Sequence, residues 1–352
     1  MKQAEGDARP EAAVQVPPSG RSGALRRAGA VLRALRVSQW SKNGLVALAA
    51  LFSRQIFQPP TLLRVIVAFL AFSFAASAVY IFNDLRDRES DRLHPVKRAR
   101  PIAAGLLSAR AAAILGGVSL ALALALTALL ASGVLYLNAT LRRDPFTAFG
   151  GAPLLFAASI VAYLVLNGGY TLRLKREALW DIYSIAFGFA LRALAGAFAA
   201  GVYISPWFYL TAIFLSLVLA IGKRRAELAR ANGADNGAAS GAGEASATRR
   251  ALRDYTLPFL DQLMGVAVTS TLITYSLYTF QAGANGDSIL MLTVPCVIVG
   301  VFRYLYLVYV RAQGEEPDRL LYTDPQILGA VLVCLLIILA ALYGPGLHIT
   351  RP

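Results

Sequence analysis

Apolar runs long enough to cross a bilayer recur along this chain, and they leave few folds open to it. A spanning helix needs about 20 predominantly apolar residues. Stretches near that length run from Thr61 to Phe82, Arg110 to Ala131, Gly151 to Gly169, Asp181 to Val202, Pro206 to Gly222, Leu257 to Phe280, Ser288 to Val310 and Pro325 to Tyr343. A shorter one, Gly44 to Phe57, contains Arg54. In hydrocarbon every backbone N–H and C=O must be satisfied within the protein, and for runs of this length the helix does so. The expectation is an all-α polytopic membrane protein of about nine transmembrane helices. Composition agrees, with 57% hydrophobic residues and a formal charge of +14. A nucleic-acid binder would need a basic soluble module with a recognisable motif, and none is visible. Cys296 and Cys334 both lie inside apolar runs, so neither a disulfide framework nor a C-x-x-C metal pair is available. No short apolar segment with a small-residue cleavage site precedes the first run, so no cleaved signal is expected.

The membrane domain is expected over residues 29–345. Residues 1–28 read as a disordered basic tail, and 346–352 as a C-terminal tail. Gly29 to Val37 suits a short interfacial helix. Residues 231–248, made mostly of Ala, Gly, Ser and Asn, read as a flexible insertion. Positive charge is one-sided. The side of the N-terminus carries the tail through Lys42, the Arg86–Arg100 loop, Arg173 to Arg176, Lys223 to Arg253, and Arg311 with Arg319, while the other holds little more than Arg142, Arg143 and Arg351. The positive-inside rule places the rich side in the cytoplasm, for a multi-pass protein of the inner (plasma) membrane. Asn138-Ala139-Thr140 matches a glycosylation sequon, a tripeptide common by chance.

At the end of the Thr61–Phe82 run stand Asn83, Asp84, Asp87 and Asp91, followed by His94, Lys97, Arg98 and Arg100. Steps of three and four keep the three carboxylates within roughly 60° of arc on a helix. A hard divalent cation such as Mg2+, which takes oxygen ligands and leaves sites open for phosphate oxygens, is the natural partner. The cationic run supplies donors to the same phosphate. The bland reading is a solvated juxtamembrane loop, but that rarely has regular acidic spacing. Trp40 with Lys42 reads equally as an aromatic anchor beside a snorkelling lysine. All these clusters lie at helix ends on one face, whereas a transporter would place binding groups near the midplane. The deeper charges are few: Arg54, Arg64, Arg192, Asp261 and Arg303, of which Arg192 and Arg303 lie within reach of a lipid phosphate.

With Asn83-Asp84-x-x-Asp87-x-x-x-Asp91 at the end of a span, the chain resembles the UbiA superfamily of membrane transferases. Several further motifs resemble its decaprenyl-phosphate phosphoribosyltransferase branch. They are Gln39-Trp40-x-Lys42-Asn43, His94-Pro95-x-Lys97-Arg98-x-Arg100-Pro101-Ile102-Ala103-x-Gly105, Tyr170-x-x-x-Leu174-Lys175 with Asp181, Gly222-Lys223-Arg224 with Glu227, and Phe302-Arg303-Tyr304-x-Tyr306-Leu307. The resemblance covers roughly Leu35 to Leu342. It implies a donor, 5-phosphoribose 1-diphosphate, and an acceptor, a polyprenyl phosphate, with a product that in actinobacteria feeds cell-wall arabinan. The second acidic motif of ordinary prenyltransferases, D-x-x-x-D after the sixth span, is replaced by Lys223-Arg224-Arg225.

The resemblance and the groups together give each residue a role. Asp84, Asp87 and Asp91 hold Mg2+, and Asn83 orients a water or a ribose hydroxyl. Lys97, Arg98, Arg100 and Lys175 grip the diphosphate or the 5-phosphate. Lys42 and Lys223, Arg224 and Arg225 gather the lipid phosphate. Asp181 holds Lys175 or meets a ribose hydroxyl, and Gln39 and Tyr170 join the substrate-binding set. Two histidines, His94 and His348, and no evident nucleophile–base pair argue against a Ser/His/Asp or Cys/His mechanism. Two other readings compete: a prenyltransferase using a prenyl diphosphate and an aromatic acceptor, and a lipid transporter. Assembly into a homo-oligomer stays open.

Overall fold

Among the residues the structure describes, eight helices are long and apolar enough to cross a membrane. They are α3 (Pro59–Arg86), α5 (Ala109–Ala131), α6 (Ala152–Leu172), α7 (Trp180–Ala200), α8 (Pro206–Asp235), α9 (Leu257–Ala282), α10 (Thr293–Tyr309) and α12 (Pro325–Tyr343). Four shorter helices join them: α1 (Arg21–Ala34), α2 (Leu48–Phe52), α4 (Arg88–Leu93) and α11 (Pro317–Thr323). No strand occurs among the described residues. The structure is a computed structural model, and it describes residues 21–93, 97–136, 152–235, 252, 254–282, 288–314 and 317–343. His94, the sequon, Arg142, Arg143, most of the insertion and the C-terminal tail lie outside them.

Three boundaries differ from expectation. The helix α1 begins at Arg21, inside the stretch expected to be a tail. Helix α8 stays helical to Asp235, past the expected start of the insertion. The first pass is not a regular α-helix: Val37–Ala47 winds as an 11-residue 3-10 helix, and Leu48–Phe52 adds five α-helical residues. A 3-10 helix rises about 2.0 Å per residue against 1.5 Å for an α-helix, so these two pieces still extend roughly 30 Å, the thickness of the hydrocarbon layer.

Start and stop signals sit where the physics asks for them. Proline opens α3, α8 and α12, where its missing N–H costs nothing. Ser108 Oγ accepts from the Ala111 N–H at 3.2 Å to cap α5. Asp324 Oδ1 accepts from the N–H groups of Gln326 and Ile327 at 3.1 and 3.0 Å to cap α12. Gly201, at φ 69°, ends α7 in the left-handed region.

Helices α3 and α7 are the inner pair: 61% of each core stretch is buried, against 22% for α5, α10 and α12, which face lipid. Lipid tails are as apolar as leucine, so helices in a bilayer associate through close packing and hydrogen bonds. The inner face of α3 is accordingly small, with Ala68, Ala71, Ser73, Ala75 and Ser77 all buried. Gly196 of α7 lets the first pass come so near that a Cβ there would lie 2.1 Å from the Val46 carbonyl oxygen. One apolar cluster gathers Val46, Phe72, Phe156, Tyr163 and Ala199, and a second gathers Ile182, Val218, Leu260, Met264 and Val308. Helix α7 feeds both.

The deep arginines are structural. Arg192 donates from Nε to Asn43 Oδ1 at 2.7 Å, from Nη1 to the Gly188 carbonyl at 2.7 Å and from Nη2 to the Tyr163 hydroxyl at 3.0 Å. Arg303 Nη2 binds Asp324 Oδ2 at 2.8 Å. Both were candidates for a lipid phosphate; Arg192 spends its donors inside the bundle, while Arg303, a quarter exposed, is held by Asp324 at the start of α12. Asn43 also donates to Ser73 Oγ at 3.0 Å, and Trp40 Nε1 to Ser77 Oγ at 3.1 Å. Trp40 therefore fastens the first pass to α3 rather than serving only as an interfacial anchor.

Candidate active site

The acidic stretch does not form one continuous helix. Helix α3 stops at Arg86; Asp87 caps it at φ −90° and ψ 8°, and α4 starts afresh at Arg88. The break separates the three carboxylates that ideal spacing would align. Asp84 and Asp91 are each only 3% exposed and share one cation: Arg100 Nη1 lies 3.1 Å from Asp84 Oδ1 and 2.6 Å from Asp91 Oδ2. Arg36 Nη2 approaches Asp84 Oδ1 at 2.7 Å, with its guanidinium 4.5 Å from the centre of the Tyr80 ring. Asp87 turns the other way and meets Lys175 Nζ at 3.4 Å. Buried carboxylates need such partners, since an uncompensated charge at that depth costs several kcal/mol.

The loop that brings Arg100 in is anchored beside it. Ile102, 2% exposed, packs with Ile81 and Ala112, and Leu35, Leu85 and Leu115 close around them. The backbone turns through Arg100 N–H to Lys97 O at 2.9 Å and Ala104 N–H to Arg100 O at 2.8 Å, and Gly105 takes φ 73°. Lys97 and Arg98 lie on a short 3-10 turn of the same loop, Lys97 half-buried and Arg98 exposed.

A second polar cluster lies across the bundle at the same end. Arg224 and Asp181 are both 2% exposed. Arg224 Nε stands 2.5 Å from Asp181 Oδ2, a charge contact along which the N–H is not aimed. Its Nη1 binds Glu227 Oε2 at 2.5 Å, and its Nη2 the Tyr170 hydroxyl at 3.3 Å. Asp181 Oδ1 accepts from the Tyr255 hydroxyl at 2.6 Å and from the Ile182 N–H at 2.8 Å. Burial, and then the hydrogen bond to Asp181, push the Tyr255 phenol well above its ordinary value, so it stays protonated and able to donate. Beside this cluster Arg225 Nε binds Asp261 Oδ1 at 2.6 Å, its guanidinium 3.8 Å from the centre of the Tyr309 ring.

The end of α6 ties the clusters together. Thr171 Oγ1 donates to Asn83 Oδ1 at 2.5 Å, while Arg86 donates to the Thr171 carbonyl at 2.8 Å. Tyr170, the residue before it, faces Arg224.

Most of the residues singled out in the sequence therefore meet at one end of the bundle, with different partners from those expected. Asp181 pairs with Arg224, while Lys175 goes to Asp87. Arg224 is enclosed by Asp181, Glu227 and Tyr170 rather than presented to a lipid phosphate. Gln39 and half-buried Lys42 lie near the start of the first pass, where the Gln39 N–H bonds the Arg36 carbonyl at 2.7 Å. Lys223 is half-buried on α8 one residue before Arg224. Arg36, Thr171 and Tyr255 were not foreseen; each acts across 48 or more positions, and no local pattern announces such a partner.

Among the described residues no three His, Cys, Asp or Glu side chains stand together as a metal-binding group. Asp84 and Asp91 nevertheless suit a hard cation. Their oxygens already converge on one positively charged atom, Arg100 Nη1, and are the donor type Mg2+ takes. Arg100 is 31% exposed and has room to swing away.

The model of the UbiA prenyltransferase family matches residues 44–323. A decaprenyl-phosphate phosphoribosyltransferase of Corynebacterium glutamicum is 34% identical over 90% of this chain and 87% of its own. One of Mycobacterium tuberculosis is 33% identical over 82% of this chain and 86% of its own. Among solved structures, a UbiA homolog from Archaeoglobus fulgidus bound to GPP and Mg2+ superposes with a TM-score of 0.61 at 19% identity, covering 89% of this chain and 98% of that one. At that identity the likeness speaks for the fold.

Proposed function

The chain belongs to the UbiA prenyltransferase family, and on that premise we propose that it transfers 5-phosphoribose from 5-phosphoribose 1-diphosphate to a polyprenyl phosphate of decaprenyl type. Diphosphate is released, Mg2+ is required, and the site faces the cytoplasm. The names of the Corynebacterium and Mycobacterium relatives support this donor and acceptor. The observation that carries the choice over a prenyl diphosphate donor is Arg224. Where the resemblance leads one to expect a second acidic motif, this chain has an arginine held between Asp181 and Glu227. The stretch itself carries no D-x-x-x-D, and the two carboxylates nearby, Asp181 and Glu227, are both taken up by buried Arg224.

The chemistry asks little of a general base. A lipid phosphate is ionised at neutral pH, and one of its oxygens attacks C1 of the ribose. The bond from C1 to the diphosphate oxygen breaks, and its electron pair leaves with the diphosphate. Departure of that anion is the barrier to lower. Asp84 and Asp91 would hold Mg2+, which when bound would neutralise charge on the leaving diphosphate, while Asp87, expected from the spacing to be a third ligand, stands apart and holds Lys175. Arg100, released from the carboxylates, becomes a donor to the same group, with Lys97 and Arg98 on its loop. Lys175, beside Asp87, grips the diphosphate. Asn83, fixed by Thr171, orients a ribose hydroxyl. Lys42 and Gln39 on one side and Lys223 on the other receive the lipid phosphate at the membrane surface.

The test uses purified protein in detergent with Mg2+, labelled 5-phosphoribose 1-diphosphate and a polyprenyl phosphate, and follows label into the lipid phase. Transfer abolished by chelator is expected. No transfer, with product instead from a prenyl diphosphate and 4-hydroxybenzoate in a parallel reaction, would overturn the reading.

A further inference from the structure

Between Lys175 and Asp181 the backbone makes a turn that a leucine should resist. Leu179 has φ 65° and ψ −41°, and the Trp180 N–H reaches back to the Ala178 carbonyl at 2.8 Å. This is a γ-turn of the positive-φ hand, rare and strained for an L-residue with a side chain. Such a conformation persists only where its surroundings hold it. Here the holder is visible: the Leu179 N–H donates to the Tyr255 hydroxyl at 2.6 Å, and that hydroxyl donates onward to Asp181 Oδ1 at 2.6 Å. Tyr255 is 4% exposed, and its ring lies against Phe259 with centroids 6.5 Å apart and planes 18° from parallel.

The turn has a load at each end. Four residues before Leu179, Lys175 reaches Asp87 of the first cluster at 3.4 Å. Two residues after it, Asp181 carries the charge contact to Arg224 in the second. We propose that Tyr255 is a positioning residue: its hydroxyl, clamped between the Leu179 N–H and Asp181, holds the strained turn so that Lys175 stands across from Asp87, where the phosphorylated donor binds. The inference rests on the function proposed above for the identity of that donor. It also gives the segment after residue 253 a part in the site, since Tyr255 belongs to neither helix that carries the carboxylates.

The clamp makes a particular prediction about kinetics. Replacing the hydroxyl should loosen Lys175 without touching the reacting atoms, so substrate affinity should fall more than turnover. Tyr255→Phe keeps the ring on Phe259 and removes only the oxygen. It should raise the KM for 5-phosphoribose 1-diphosphate about tenfold, the effect of one net hydrogen bond, with kcat within about twofold. In a Lys175→Met background the same change should add almost nothing, because there is no longer a lysine to place. Leu179→Gly supplies the rescue. Glycine takes φ 65° without strain, so Tyr255→Phe/Leu179→Gly should recover to within about threefold of the wild-type KM.

A wild-type KM in Tyr255→Phe, or an effect that multiplies with that of Lys175→Met, would overturn the proposal. Titration of inorganic diphosphate with Mg2+ into the full-length protein separates this question from the nature of the donor. If the wild type fails to transfer phosphoribose yet binds diphosphate, about tenfold weaker binding by Tyr255→Phe still upholds the clamp, and equal binding refutes it.

Discussion

Adding one methyl group to α7 should disable the site from a distance. At Gly196 a Cβ would stand 2.1 Å from the oxygen of Val46 and 2.7 Å from its carbonyl carbon and Cα. All three are backbone atoms, so no side chain can swing aside. Opening the shortest contact to 3.4 Å, where ordinary van der Waals contact begins, moves the first pass away from α7 by about 1.3 Å. Overpacking of this kind costs about 1–3 kcal/mol. The displaced segment carries more than Val46. Asn43 holds Arg192 at 2.7 Å, Trp40 holds Ser77 at 3.1 Å, and Arg36, just before the segment, holds Asp84 at 2.7 Å. A shift of that size takes the Asn43–Arg192 bond, which joins the same two elements, to about 4.0 Å, past useful hydrogen-bond range, and disturbs the two bonds to α3. Misplacement by about 1 Å can cost on the order of 100-fold in rate. Gly196→Ala should therefore unfold earlier in an SDS titration by 1–3 kcal/mol and lose about 100-fold in kcat/KM. Gly265→Ala, on α9 with nothing within 4 Å of its added carbon, is the control and should match the wild type in both. A Gly196→Ala protein with wild-type stability and turnover would refute the argument that this contact sets the position of the first pass.

Asp84→Asn and Asp91→Asn should each lower Mg2+-dependent transfer by about 100-fold or more while the protein still elutes as a folded species; near-normal turnover in both would remove the metal role from these residues. Asp324 gives a pH signature in stability. Its hydrogen bonds from Arg303, followed by the N–H groups of Ile327 and Gln326, hold its carboxyl below the ordinary 3.8. The contribution of the cap is therefore full above that value and is lost as pH falls through the lowered one. The difference in unfolding midpoint between wild type and Asp324→Asn should stay constant from pH 7 to about 4 and close below that; a difference that closes nearer neutrality would mean another group is responsible. Deleting Gly233 to Ser246 should leave transfer within about twofold of wild type, because residues 231–248 have the composition of a linker; a folded deletion protein with little activity would give the segment a role of its own.

The membrane helices were legible because each carries its own evidence: an apolar run bounded by proline or charge. The one-sidedness of the polar groups was legible for the same reason, as a sum over loops. Asp84, Asp87 and Asp91 stood out through their spacing, yet spacing alone would have kept them on one helix. The break at Asp87 sends the carboxylates to partners that the spacing does not contain, Lys175 for Asp87 and Arg100 for Asp84 and Asp91. Pairings such as Arg36 with Asp84 or Arg224 with Asp181 belong to the tertiary fold. From the sequence any of several arginines could have filled them. The first pass was misjudged in form because its apolar run is short; a 3-10 winding covers more distance per residue than an α-helix and so makes up the length.

The meeting of Tyr170 and Thr171 with opposite clusters has a consequence for how this chain can diverge. Successive residues on a helix point about 100° apart, so one turn of α6 serves both halves only while its phase is kept. One inserted residue anywhere within α6 would rotate both side chains together, away from Arg224 and Asn83 at once. Between the first buried turns of α6 and its end, descendants of this sequence can exchange residues but not add or lose them. Length variation is left to the loops, and α6 serves as the ruler against which both halves of the site are set.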